Sequence, residues 1–160
     1  MRVLGWISPG TWPAVVRALR ERPDADDLRL VVACDPDETM PSAPASLFGR
    51  ARHRHDDGVR TSLGRHEAQA LLDQAVAALG RSCAAEVLSG RTERVVVGAA
   101  VDADRLILAR DGDRGRLGPR SLGPHTRFVV DHAPCTVELL WPGEAPGMET
   151  IPPPPDNGRH

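Results

Sequence analysis

The sequence predicts an α/β fold, an open parallel sheet with helices on both faces. Short apolar runs alternate along the chain with stretches of helical period, as successive right-handed crossovers require. The apolar runs are dense in valine and leucine, the composition of strands buried on both faces. From Ala103 to Leu140 the chain reads as strand, Gly-rich loop, helix and strand. A Gly-rich loop that feeds a helix N-terminus is a natural anion cradle, because free N–H groups and the helix dipole face it.

Arg2 to Ile7 reads as the first strand, ended by Ser8–Pro9–Gly10. Thr11 suits an N-cap and Pro13 a first turn, opening a helix that carries Ala14, Val15, Ala18 and Leu19 inward. Pro23–Asp24 stops it, and Leu28 to Cys34 forms the second strand, broken by Asp35–Pro36. Residues 36–60 are rich in Pro, Ser, Arg and His without a sustained period, and read as a long crossover loop. Ser62 to Leu79 shows the clearest helical period, with Ala68, Leu71, Leu72, Ala75, Val76 and Leu79 on one stripe.

Glu86 to Leu88 is a short third strand. Thr92 to Asp102 is ambiguous from its residues, since Val95–Val96–Val97 favours strand by propensity. Leu106 to Leu108 is a fourth strand that stops at Arg110–Asp111–Gly112. A helix opens at Gly123–Pro124, where the missing proline N–H costs little, with Phe128, Val129 and Val130 on its apolar face. His132–Ala133–Pro134–Cys135 ends it before the last strand, Val137 to Leu140. Residues 1–141 thus read as one domain, and 142–160, with prolines at 152 to 155, as an extended and disordered tail.

A chain of 160 residues suits one domain with a sizeable core, and a net charge of −2 implies no bulk attraction to nucleic acid or anionic membrane. Every basic residue is an arginine or histidine, with no lysine, which excludes a P-loop lysine and a Schiff-base lysine. Cys34, Cys83 and Cys135 form no C-x-x-C pair, so neither a zinc site nor a thioredoxin-like motif is indicated. No apolar run approaches about 18 residues and no basic leader precedes one, so a cytoplasmic protein without a membrane partner is expected.

The stretch carrying Gly112, Gly123 and His132–Ala133–Pro134–Cys135 resembles the C-terminal half of the universal stress protein family, and the likeness extends over most of the chain. The resemblance implies a five-stranded sheet of order 3-2-1-4-5, the adenine-nucleotide alpha-hydrolase-like arrangement. It also implies a helix over Thr92 to Asp102, with Val95, Val96, Ala99 and Ala100 inward. Ligands of such sheets sit where the strand order reverses. That crevice would be bordered by Ser8, Ala33 or Cys34, and the loop from Arg110 to Gly123.

Some members bind ATP through a first-strand aspartate and a loop of glycine, two residues, glycine, nine residues, then glycine with serine or threonine. Here Ser8 stands for the aspartate, Ala109 for the first glycine and Pro124 for the hydroxyl residue. Ten residues separate Gly112 from Gly123. Asp111 and Asp113 lie where a polyphosphate would, with Arg110, Arg114, Arg116 and Arg120 as possible compensation and His125 as a substitute donor. The resemblance implies a homodimeric regulatory or binding module in stress response, with weak or absent ATP binding and an unknown protein partner. Ser8, Gly112, Gly123 and His125 are its candidate cofactor-binding residues. The alternative is an ATP-binding member that slowly hydrolyses ATP or phosphorylates itself, with Mg²⁺ entering only alongside ATP.

A more remote alternative is a metal-dependent enzyme using His53, His55 and Asp57, near His66, although their spacing matches no structural metal site. No serine stands in a G-x-S-x-G setting, and no catalytic residue is assigned. His132, near a helix C-terminus, suits a dipole-complementing cap. Trp6, Trp12 and Trp141 suit core or interface anchors. The last strand, 135–141, forms the sheet edge in this family, and pairing with a second copy there would cover an apolar edge.

Overall fold

The computed structural model describes residues 1–39 and 63–155. Its elements follow the expected alternation: β1 (Arg2–Trp6), α1 (Trp12–Arg20), β2 (Asp27–Cys34), α2 (Pro36–Thr39), α3 (Arg65–Leu79), β3 (Ala84–Ser89), α4 (Thr92–Ala100), β4 (Arg105–Ala109), α5 (Pro124–His132) and β5 (Thr136–Leu140). The five strands form one sheet in the order β3-β2-β1-β4-β5, every pair parallel. This is the order the resemblance implied.

Strand periodicity sorts the core into two layers. Val3, Leu28, Leu30, Val32 and Ile107 point to one face, where α1 and α3 bury Val15, Leu19, Leu72 and Leu79. Leu4, Trp6, Val31, Leu106 and Leu108 point to the other, against Val96 and Ala100 of α4 and Val129 of α5. Burial on both faces explains why the central strands β1, β2 and β4 are so apolar. Gly5 lets α1 sit close to the sheet, since a Cβ there would come within 2.6 Å of Leu19 Cδ1.

Strand propensity lost to packing in α4. Its valine run is helical because only a helix places Val96 and Ala100 together against the sheet, with Val95 and Ala99 half-buried beside them. In α1, Thr11 holds the N-cap position but its side chain makes no cap bond; the Ser8 carbonyl accepts the Trp12 N–H instead, at 3.1 Å. α3 starts three residues later than its period suggested, because Glu67 bonds back to the Gly64 N–H at 2.9 Å and fixes the start there.

At the amino ends of the strands, Arg81 donates to the carbonyls of Leu19 and Arg22, at 3.0 and 2.7 Å, and to Pro23 at 2.9 Å. It therefore caps α1 and ties the α1–β2 turn to the α3–β3 turn. Of the expected long crossover, Pro36–Thr39 forms a single helical turn and 40–62 lie outside the described residues. The stretch after β5, expected to be extended and disordered, makes a 3-10 turn at Met148–Thr150. Its Thr150 hydroxyl accepts the Leu117 N–H at 3.0 Å, a bond no composition argument could reveal. No described helix is long and apolar enough to cross a membrane.

Candidate functional site

The chain leaves β1 toward the α1 face and leaves β4 toward the α5 face, so a crevice opens between their carboxyl ends. Its volume is about 210 Å³. Trp6, Ile7, Val32, Ala33 and Leu63 make its walls mainly apolar. Ser8, Thr92, Asp111, Arg114 and His125 supply the polar groups.

The loop between β4 and α5 is built on its own backbone. The Gly112 N–H donates to the Ser121 carbonyl at 2.9 Å, and the Asp113 N–H to the Arg120 carbonyl at 2.8 Å. A Cβ on Gly112 would run into the Arg120 carbonyl, so glycine is what lets the two arms close. Ser121 is fully buried beneath them, taking a bond from Arg110 Nη1 at 2.5 Å and giving one to the Gly118 carbonyl at 2.7 Å. Arg110 also lies over the Trp141 ring, 4.7 Å from its centroid. Asp113 turns outward and accepts the Gly115 N–H.

Asp111 turns the other way. One carboxylate oxygen accepts the Gly123 N–H and the other the Thr126 hydroxyl, each at 2.8 Å. Gly123 is the N-cap residue of α5 and Pro124 follows it without an N–H. The protein's own carboxylate therefore sits beside the N-terminus of the helix expected to cradle an anion, held by the N–H before its first turn and by a first-turn hydroxyl.

His125, in the first turn of α5, lies between two carboxylates. Its Nδ1 is 2.8 Å from Glu93 of α4 and its Nε2 is 3.4 Å from Glu38 of α2. Burial pushes the Glu93 carboxyl up, but its own backbone N–H, His125 and Arg91 outweigh this and hold it below its ordinary range. Thr92, the first residue of α4, is 5% exposed, and its hydroxyl has no hydrogen-bond partner among the described residues.

Of the four residues expected in the site, Ser8 and His125 line the crevice, whereas Gly112 and Gly123 shape the loop behind it. Sequence reasoning placed Asp111 here as a repulsive charge but not as a tie between the loop and the start of α5. It also missed Thr92, Glu93 and Glu38, because the first two fall in the segment whose propensity argued for strand. His53, His55 and Asp57 lie outside the described residues, and His66 is exposed on α3. Among the described residues no group of three His, Cys, Asp or Glu side chains is placed to hold a metal ion. All three cysteines are unpaired, and burial pushes the Cys83 and Cys135 thiols up, away from the reactive thiolate. His132 meets the Phe128 carbonyl at 2.7 Å and stacks on the Phe128 ring at the C-terminal end of α5.

No protein-family model matches the sequence, and no curated protein is significantly similar to it. Solved structures resemble it in fold. UspA, a universal stress protein from Lactobacillus plantarum, is 18% identical with a TM-score of 0.58, over 88% of this chain and 97% of that one. A universal stress protein in complex with cAMP is 18% identical with a TM-score of 0.56, over 89% and 98% of the two chains. A universal stress protein family protein from Arabidopsis thaliana with AMP bound is 17% identical with a TM-score of 0.50, over 98% of each. The chain shares their α/β fold across nearly its whole length, and at such identities the likeness concerns the fold.

Proposed function

We propose that the chain is a universal-stress-protein-like regulatory module of the cytoplasm, whose crevice is closed to phosphate by Asp111. The observation that carries this is the pair of 2.8 Å bonds from Asp111 to Gly123 and Thr126. They engage two donors beside the α5 N-terminus and set a negative charge where a phosphate would approach its first turn. Ser8 and His125 would remain to meet the rest of a nucleotide. ATP itself fits poorly. Its phosphates would meet the Asp111 carboxylate, the Ala109 side chain at the end of β4, and a proline with no N–H to offer. One added negative charge about 4 Å from a carboxylate costs about 4 kcal/mol at an effective dielectric near 20, roughly a thousand-fold in affinity.

The module is proposed to act as a homodimer through β5. That strand pairs with β4 on one side, and Val137, Leu139 and Leu140 are half-buried along it, which favours a second copy over exposure to water. The three unpaired cysteines fit a reducing compartment.

The test is a thermal-unfolding titration with ATP and Mg²⁺, with AMP and inorganic phosphate alongside. A ligand at about 100 times its dissociation constant adds about 2.7 kcal/mol, a shift of several degrees. No shift at millimolar ATP is expected. A saturable, ATP-specific shift refutes the closed crevice and restores the nucleotide-hydrolysing alternative.

A further inference from the structure

We infer that the crevice is built for a small, phosphate-free amine: an apolar body of about one ring carrying N–H donors toward Asp111. The inference rests on the closed-cradle reading above and names the ligand class that such a crevice accepts. Size comes first. A cavity of about 210 Å³ falls below the range in which pockets for larger organic ligands begin, roughly 300 Å³. Trp6, Ile7, Val32, Ala33 and Leu63 offer this body an apolar enclosure.

Beside the hydroxyls of Ser8 and Thr92, the group left over on the inner wall is the Asp111 carboxylate, an acceptor. Each Asp111 oxygen takes one hydrogen bond and retains a second lone-pair direction. No cation among the described residues is within ion-pair distance of it. Glu93 and Glu38 are already engaged by His125. Arg114, the one guanidinium in the wall among the described residues, belongs to an exposed stretch of the loop, where solvent and salt screen its charge.

Thr92 supplies an independent sign of a missing partner. It lines the same cavity, is 95% buried by its 5% exposure, and its hydroxyl is unpaired among the described residues. A buried hydroxyl without a partner is uncommon enough to point to a group that completes it. An ammonium would pair with Asp111, and a second N–H would satisfy the Thr92 hydroxyl once that shielded side chain turns toward the cavity. A carboxylate or phosphate would meet like charge at Asp111.

The experiment titrates the full chain with three one-ring probes of similar length and different charge: 2-phenylethylamine, 2-phenylethanol and 3-phenylpropionate. Calorimetry should give the amine about ten-fold tighter binding than the alcohol, with the acid weakest. Asp111→Asn keeps an acceptor for the Gly123 N–H and should bring amine and alcohol to within about two-fold. Thr92→Val, which preserves shape, should weaken the amine several-fold and supplies the test if the Asn variant does not fold. Acid binding as tight as amine, no amine binding at about 10 mM, or an unchanged ratio in Asp111→Asn overturns the proposal. ATP with Mg²⁺ runs in the same series. ATP binding sinks the closed cradle itself, whereas silence from both ATP and amine sinks only the amine assignment.

Discussion

Replacing Asp111 by alanine removes both bonds that the β4–α5 loop makes to the first turn of α5, each 2.8 Å long. Losing the acceptor of the Gly123 N–H costs about 1 kcal/mol. Losing the negative charge facing the helix dipole adds about 0.5 kcal/mol. The Thr126 hydroxyl, 1% exposed, loses its acceptor, which adds on the order of 1 kcal/mol. Together these predict a destabilisation of about 2–3 kcal/mol, or a melting temperature lower by roughly 5–10 °C for a chain of this size. Urea and thermal unfolding followed by circular dichroism measure it directly. Asp111→Asn, which keeps the acceptor at Gly123, should lose less than about 1 kcal/mol. Inorganic phosphate should then stabilise Asp111→Ala and leave the parent unmoved, because only the variant presents an open cradle. A variant within about 0.5 kcal/mol of the parent, or phosphate stabilising both alike, refutes the reasoning.

Gly112→Ala should cost about 2 kcal/mol in urea unfolding, because the new Cβ meets the rigid Arg120 carbonyl; a loss below about 0.5 kcal/mol would show that the loop arms need not close. Glu93 is held below its ordinary value of 4.5, so its stabilising contribution is complete above that pH and disappears as pH falls through the depressed folded value. Melting temperature should therefore fall more steeply on the acid side in the parent than in Glu93→Gln, and equal slopes would remove the Glu93–His125 pair from the account. If the proposed β5 dimer forms, a charge at Val137 or Leu139 should convert it to monomer by sedimentation, and a parent that already sediments as a monomer defeats the β5 interface.

The sheet was legible because its signal is long and redundant. The central strands β1, β2 and β4 are predominantly apolar and buried, and α3 repeats its stripe from Ala68 to Leu79. α4 was legible only through resemblance, since the three adjacent valines obey strand propensity until the sheet demands Val96 and Ala100 on one face. In the site, Ser8 and His125 were reachable from their places at strand end and helix start. Asp111 shows the limit. Its sequence position put a charge near the cradle, but whether that charge points outward like Asp113 or inward onto Gly123 depends on the loop's self-pairing. Glu38 and Glu93 were invisible for the same reason, because each gains its meaning from His125, far away in the chain.

The arginine clamp at the amino ends of the strands has a consequence for how this fold can change. Arg81 joins the α1–β2 turn to the α3–β3 turn through contacts that involve no residue of the β2–α3 connection. The entropy of closing that connection grows only with the logarithm of its length, so halving or doubling it shifts stability by about 0.6 kcal/mol. Its length is thereby almost decoupled from the integrity of the sheet. Yet Glu38 and Leu63, near its two ends, both border the crevice, one through His125 and the other in the wall. Insertions and deletions in this stretch can therefore remodel the rim of the binding site at little thermodynamic cost, while the clamped floor beneath it stays the same.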